Sequence, residues 1–492
     1  MARGAVVARH WRHHTSPWSP EFLTLNSGGV APGPAAGSFR DPQGRVVEYG
    51  QNVYRTLIRP LASFPATWAE DGPLAPLVAA GKLWPAVPLS REVVPAPVRD
   101  LFPQAVGFLQ HPRLTPITYP FEWPFELLKR AALLHIEVHR HALRRGLSLT
   151  DGSAYNVQFL GARPVFIDAL AFVPQEDGKP WAGYSQFCES FLNPLLLSSG
   201  GCTSVNDIYR GRMSGISTRE TSRQLGWWGA LRARALVHVT IGSMAEAAST
   251  RDHVDGRTGF TRAGLELLLR SLQRTIERLE YPRDARDWSG YETNNTYSEA
   301  ERHAKIMAVQ EFVARVRPAL LLDAGCNAGE YSELALRSGA GYVIGLERDG
   351  GAANQAVHRA VRLEKPFLPL QVDLKNPTPS QGWNLSERVS FQERVKPDAV
   401  LCLALVHHLV LGEGVPLDVV LPSILGLAPR GLIEFVPLED PMARRIAGPA
   451  DRMRHPYCHS SFIAELEKHA EVLKQTPLTA SGRVLVEYAR SR

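Results

Sequence analysis

The chain has 492 residues, 44% of them hydrophobic and 21% charged, with a mean hydropathy of −0.15. Those values fit a globular protein with room for two or three cores, and they exclude a mostly disordered chain, a collagen and a disulfide miniprotein. Lys and Arg number 55 against 49 acids, a net charge of +6, but the basic residues are scattered rather than clustered into the footprint of a nucleic-acid binder.

Residues 1–36 are Gly- and Pro-rich, without periodicity, and read as a mobile arm with no apolar secretory core. From Ser38 to Pro60 the alternation predicts a hairpin, with turn chemistry at Asp41-Pro-Gln-Gly44. Apolar residues at helical spacing predict a helix over Phe125–Leu143, stopped by Gly146. Two short strands follow, Val157–Leu160 and Pro164–Ile167, joined at Gly161, and then a helix from Tyr184 to about Leu197. The polar run 251–257 marks a boundary. A charged amphipathic helix of about Arg262–Leu279 lies in a linker, 256–284. From 285 onward strands and helices alternate at the pace of βαβ units, which predicts a mainly parallel sheet. No run of 18 apolar residues predicts a membrane span. Cys188, Cys202, Cys326, Cys402 and Cys458 form no CxxC pair, which points to free thiols in a cytoplasmic setting.

The most informative segment is 318–347. An apolar run ends in Asp323, followed at once by Ala324-Gly325-Cys326-Asn327-Ala328-Gly329-Glu330 and a helical pattern. A second short strand, Tyr342–Leu346, ends in Glu347, 24 residues after Asp323. A tight glycine turn at the carboxyl end of a first strand lets a ligand approach the backbone, and an acid closing the second strand can bind both hydroxyls of a ribose. A dinucleotide fold would show G-x-G-x-x-G for a pyrophosphate; here the acid at the strand end suits a ligand bearing an ammonium group.

This run resembles motif I of class I S-adenosylmethionine (SAM)-dependent methyltransferases in its DxGCNxG form. The resemblance covers about 285–492 and implies a Rossmann-like, mainly parallel, seven-stranded α/β sheet with SAM as cofactor. It implies that Asp323 serves the methionine side and Glu347 the ribose, with Gly325, Cys326, Asn327 and Gly329 forming the turn. Phe367–Asp373 resembles the third strand, whose Asp373 would meet the adenine amino group. Asp398–Leu409 resembles a buried fourth strand, with His407 and His408 at the end that faces the methyl group. One of them is a candidate general base for a hydroxyl acceptor; the alternative is packing. Gly431–Val436 reads as a fifth strand and Arg483–Tyr488 as a final edge strand. The insert from Asn376 through Trp383 to Arg388, and the tail Pro437–Met442, resemble bacterial methyltransferases of the nodulation host-specificity type. Tyr297 is the candidate aromatic lid over the cofactor. The spacing of His407, His408, Glu434, Glu439, His455 and His459 does not support a metal site.

A second resemblance lies upstream. Asp151-Gly-Ser-Ala-Tyr-Asn156, followed after a hairpin by Asp168, resembles the catalytic segment of the protein-kinase-like and aminoglycoside-phosphotransferase superfamily. It implies an α+β kinase-like domain over 37–255, with Asp151, Asn156 and Asp168 in base and metal roles and Ile117–Glu122 as the hinge between lobes. The departures weaken ATP positioning: Leu149 stands where the family has His, Ala169-Leu170 follows Asp168, no glycine-rich loop has the right spacing, and the early hairpin offers only Arg55 as a phosphate anchor. The expectation is methyl transfer from SAM to a small-molecule or glycan acceptor that the kinase-like domain binds or orients. A bifunctional phosphotransferase/methyltransferase and a pseudokinase–methyltransferase interaction module are the alternatives. Neither the acceptor nor the oligomeric state is legible.

Overall fold

The computed structural model describes residues 33–41, 44–58, 71–176, 178–232, 261–282, 298–447, 457–478 and 482–490. The candidate lid Tyr297 and the boundary at 251–257 lie outside them. Two sheets organise the chain. The first is antiparallel, in the order β1-β2-β3-β5-β4, built from β1 (Gly33–Pro34), β2 (Val46–Tyr49), β3 (Asn52–Leu57), β4 (Val87–Leu89) and β5 (Gly107–Pro112). The expected hairpin is β2–β3, but its reversal falls at Gly50-Gln51 and not at Asp41–Gly44. Gly50 has φ 59°, the positive value that a two-residue hairpin loop requires. Pairing begins at Gly33, inside the stretch read as an arm.

The long helix α1 (Phe125–Leu143) follows, its apolar residues buried on every turn. Gly146, with φ 75°, stops it as expected. Two small antiparallel pairs come next: β6 (Leu147–Leu149) with β9 (Phe172–Pro174), and β7 (Val157–Leu160) with β8 (Arg163–Phe166). A helix α2 (Val205–Gly211) and the amphipathic α3 (Arg262–Glu277) complete this part. The helix α3 is not a free linker. Leu265, Leu269, Leu272 and Ile276 are buried in the same core as α1, and Arg140 bonds Glu266 and Gln273 across the pair.

In the carboxy-terminal half α4 (Glu299–Val316) leads into strands that are apolar on both faces. They are β10 (Leu320–Ala324), β11 (Tyr342–Glu347), β12 (Phe367–Gln371), β13 (Ala399–Cys402) and β14 (Arg430–Phe435). Strands covered on both faces read as continuous apolar runs and pair in parallel, and these five do. The helix α5 (Glu330–Arg337) links β10 to β11, and α6 (Gly350–Leu363) links β11 to β12. Two antiparallel strands, β15 (Glu471–Pro477) and β16 (Val484–Ala489), finish a seven-stranded sheet in the order β12-β11-β10-β13-β14-β16-β15. The strand expected at the edge, β16, is therefore internal. The edge belongs to β15, whose mostly exposed residues carry no buried-strand signal.

The two halves share one hydrophobic core, which runs from Leu128 and Ile136 of α1 through Leu269 to Tyr342 and Val357. Polar contacts cross the same boundary. Tyr342 Oη accepts from Gly161 N at 2.9 Å, Asn354 Oδ1 accepts from Glu126 N at 2.9 Å, and Asn206 Nδ2 of α2 donates to Gln371 O at 3.3 Å. The insert between β12 and β13 forms a clamp. Its Arg394 makes a buried ion pair with Glu122 and lies 4.4 Å from the Tyr119 ring centroid; its Arg388 lies 4.5 Å over Tyr155. Among the described residues no helix is long and apolar enough to cross a membrane.

Removing one member of a buried ion pair strands the other charge in an apolar setting, which costs about 3–5 kcal/mol. Arg394→Ala is expected to lower unfolding stability by that amount in a denaturant titration. Arg394→Lys is expected to recover only part of it, because the flat guanidinium that stacks on Tyr119 is gone.

Candidate functional site

The site is built at the carboxyl ends of β10 and β11. Their register pairs Asp323 with Gly345 and Ala324 with Leu346, so Glu347 extends one step past the turn that follows β10. That turn is tied to β11 by its backbone: Gly325 N and Cys326 N both donate to Leu346 O at 2.9 Å. Three residues of the turn have positive φ, Gly325 at 79°, Asn327 at 47° and Gly329 at 84°. A Cβ on Gly329 would stand 2.5 Å from the Phe367 ring, so this glycine is demanded by packing as well as by conformation. Cys326 packs its side chain into the core while its backbone takes part in the turn. Its side chain is buried against Gly345, where an added Cβ would meet its sulfur at 2.7 Å, and burial pushes its thiol well up.

Glu347 closes the turn. Its Oε2 accepts from Asn327 N at 2.9 Å and its Oε1 from Asp349 N at 2.8 Å, and the backbone of Arg348 also acts on the carboxylate. Burial raises its carboxyl. Asp323 is 2% exposed, and its Oδ2 accepts from the Ser332 hydroxyl of α5 at 2.6 Å. Burial lifts its pKa to about 6. The cation whose field reaches Asp323 is Lys305, and its Nζ is already bonded to Glu434 at 2.7 Å. A buried and a half-buried carboxylate thus sit near each other at a glycine turn, Glu347 adding to the burden on Asp323. That arrangement favours a cationic ligand, and the open backbone of the turn admits it. Asp373 is half-buried just past β12, accepts from Lys375 N at 2.9 Å, and stands at the same edge of the sheet.

The histidines are placed differently from the expectation. The strand β13 ends at Cys402, so His407 and His408 lie beyond it rather than on the strand, His407 just before and His408 at the start of a helical turn, His408–Gly412. Ala404, with φ 49°, makes the bend that the apolar run concealed. His407 is 1% exposed, and burial lowers its pKa to about 3. It packs on His408, ring centroids 4.4 Å apart. His408 is half-buried, and burial also lowers its pKa. Of the two, His408 has the solvent access and basicity that a proton acceptor needs. Behind them runs a chain of buried charges that sequence reasoning missed: Lys305, Glu434, Arg483 and Asp440. Glu434 accepts from Lys305 at 2.7 Å and from Arg483 at 3.2 Å, and Arg483 pairs with Asp440 at 2.8 Å. Asp440 also caps the helix Pro441–Ile446, accepting from Met442 N at 2.9 Å. The Asp-Pro signal of that cap was in the sequence; its partner Arg483, 43 residues away, was not.

The upstream candidates also meet. Asp151 lies beside Asn156 and feels the charge of Asp168, and burial raises its carboxyl. Its backbone carbonyl is 3.0 Å from His135 Nε2 of α1. The expected phosphate anchor is engaged elsewhere: Arg55 Nη1 bonds Asp168 Oδ1 at 2.6 Å. Among the described residues no group of three or more His, Cys, Asp or Glu is placed to hold a metal ion.

Comparison with known proteins locates a full-length relative. The chain is 37% identical over 467 residues to nodulation protein NoeA of Rhizobium meliloti (strain 1021), covering 94% of this chain and 97% of that one. No family model matches. Among solved structures it is similar to the N-methyltransferase NodS from Bradyrhizobium japonicum WM9, at 13% identity and TM-score 0.29, covering 39% of this chain and 97% of that one. It is similar also to the bifunctional kinase-methyltransferase WbdD, at 14% identity and TM-score 0.29, covering 41% of this chain and 42% of that one.

Gly329→Ala forces a Cβ into Phe367 at a left-handed position. It is expected to lower stability by about 1–3 kcal/mol in denaturant unfolding and to loosen the turn. Gly341→Ala, at the start of β11, is the control, since it disturbs the same strand away from the turn.

Proposed function

The chain belongs to the family of the nodulation protein NoeA, and we propose that it is a SAM-dependent methyltransferase whose amino-terminal unit holds the acceptor. The observation that carries this reading is the pair of carboxylates, Asp323 buried and Glu347 half-buried, on either side of a positive-φ glycine turn at the ends of two parallel strands. Ligands of open parallel sheets bind beyond the carboxyl ends of the strands.

The residues present fit the cofactor. The carboxylate of Glu347, at the end of its strand, suits the two hydroxyls of a ribose. The negative field of Asp323 and Glu347 suits a ligand that carries an ammonium and a sulfonium. Asp373, at the next strand end, suits an amino group on the base. Bound there, SAM supplies an electrophilic methyl group on positively charged sulfur. The work left to the protein is then mainly alignment of the acceptor and exclusion of water. His408, neutral at physiological pH because its pKa is lowered, takes the proton from a hydroxyl acceptor. His407 holds the ring of His408 by stacking, and its own buried ring stays neutral.

The acceptor is a hydroxyl-bearing small molecule or glycan, held between the two units. What supports the role of the amino-terminal unit is its rigid attachment. The clamp of Arg388 and Arg394 joins the segment between Asp373 and β13 to Tyr119, Glu122 and Tyr155. The antiparallel sheet, the helix α1 and the Asp151 loop next to Asp168 support the kinase-like architecture of that unit.

Isothermal titration of the full chain with SAM is expected to show one site. Glu347→Ala is expected to weaken it at least about tenfold through loss of the charged hydrogen bonds to ribose, whereas His408→Ala is expected to keep that affinity and lower turnover; no binding to the folded wild type would end the proposal. The pH dependence has a definite sign. Asp323 has a raised pKa of about 6, so the carboxylate that favours a cationic ligand is present above pH 6 and lost below it. Affinity for SAM is expected to be level from pH 7 to 8 and to fall below pH 6, by up to about tenfold per unit, and Asp323→Asn is expected to flatten that fall.

A further inference from the structure

The amino-terminal cleft holds its own cation. Arg55 lies on β3 with its side chain 15% exposed, between two carboxylates from distant segments. Its Nη1 donates to Asp168 Oδ1 at 2.6 Å, and its Nε and Nη2 reach Asp41 Oδ2 at 2.8 and 2.6 Å. Asp168 Oδ1 also accepts from Leu170 N at 3.0 Å. The neighbouring His111 is buried, with a pKa lowered to about 4, so it adds no charge that would compete with the guanidinium for these acids.

A guanidinium cannot give up its proton to make way for another cation. A divalent ion at Asp168 would need its oxygens at about 2.0–2.6 Å, inside the shell that Arg55 fills. The two cations therefore compete for the same carboxylate. For Arg55 to leave, three charge-assisted hydrogen bonds in a mostly covered site must break together. Phosphoryl transfer depends on a metal that bridges the phosphates and neutralises their charge.

We propose that Arg55 is the resident cation of the amino-terminal cleft, occupying the seat at Asp168 that the divalent ion of a metal-nucleotide would take, so that this unit carries no phosphoryl transfer. The bridge Asp41–Arg55–Asp168 joins the segment before β2 to β3 and to the turn after β8, and makes one fixed body of the segments it ties. The inference stands independently of the methyl-transfer reading, because none of its residues belongs to the carboxy-terminal site.

The test uses the full chain and Mn²⁺, whose free concentration is followed by electron paramagnetic resonance with and without the non-hydrolysable nucleotide AMP-PNP. The wild type is expected to take up no Mn²⁺–nucleotide at submillimolar concentration. Arg55→Gln is expected to gain a Mn²⁺ site at least about tenfold tighter, which the double variant with Asp168→Asn loses again. Arg55→Lys, which keeps a charge at the seat, is expected to gain none. Thermal unfolding reports whether each variant is folded; should Arg55→Gln not fold, Asp41→Asn, which frees one side of the guanidinium and leaves Asp168 intact, is expected to show the same gain in smaller measure. Uptake of Mn²⁺–nucleotide by the wild type that Asp168→Asn abolishes would overturn the proposal. So would a folded Arg55→Gln, or in its place a folded Asp41→Asn, that gains no site.

Discussion

The structure depends on how the turn after β10 is fastened to β11. A parallel pair of strands leaves its carboxyl ends side by side, and here Leu346 O accepts two successive N–H groups from Gly325 and Cys326. The chain can do this only with left-handed residues at Gly325, Asn327 and Gly329. That conformation brings Asn327 N to Glu347. The acids are thus consequences of the turn: one ends the strand before it, the other ends the strand that anchors it.

Burying two carboxylates is expensive unless something answers them. Asp323 is answered by the Ser332 hydroxyl and, without contact, by the field of Lys305, and Glu347 by backbone N–H groups; the hydrogen bonds that reach these two acids come from neutral donors. Elsewhere the same molecule matches its buried acids with cations: Glu434 with Lys305 and Arg483, Asp440 with Arg483, Glu122 with Arg394. The contrast separates structural charge from charge held for a ligand. The amino-terminal cleft falls on the structural side of that line, since Asp168 already has its guanidinium.

The units are bound to each other through both core and charge. Helix α1 packs on α3 and shares its core with Val357 of α6, while the antiparallel sheet keeps a smaller cluster of its own around Val47, Tyr54 and Phe108. The insert after β12 adds arginines stacked on tyrosines, a contact that tolerates little shift in either partner. A body so attached suits the placing of an acceptor beside a fixed cofactor site.

What the sequence determined by itself was local: α1 from its 3.6-residue spacing, the five buried strands from their apolar runs, and the glycine turn with its flanking acids from order and interval. These follow from neighbours along the chain, where periodicity and turn chemistry act. It misread the end of β13, because an apolar run continues through Leu403–Val406 while the backbone turns at Ala404, and it took β16 for an edge because strand order is not written in any one strand. Only the tertiary structure decided that Arg55 meets Asp168, that Arg394 meets Glu122 across 272 residues, and that Lys305 meets Glu434 across 129. Those partners are chosen by which surfaces the packed core brings together, and a charge's identity in the sequence says nothing of what will stand opposite it once water is gone.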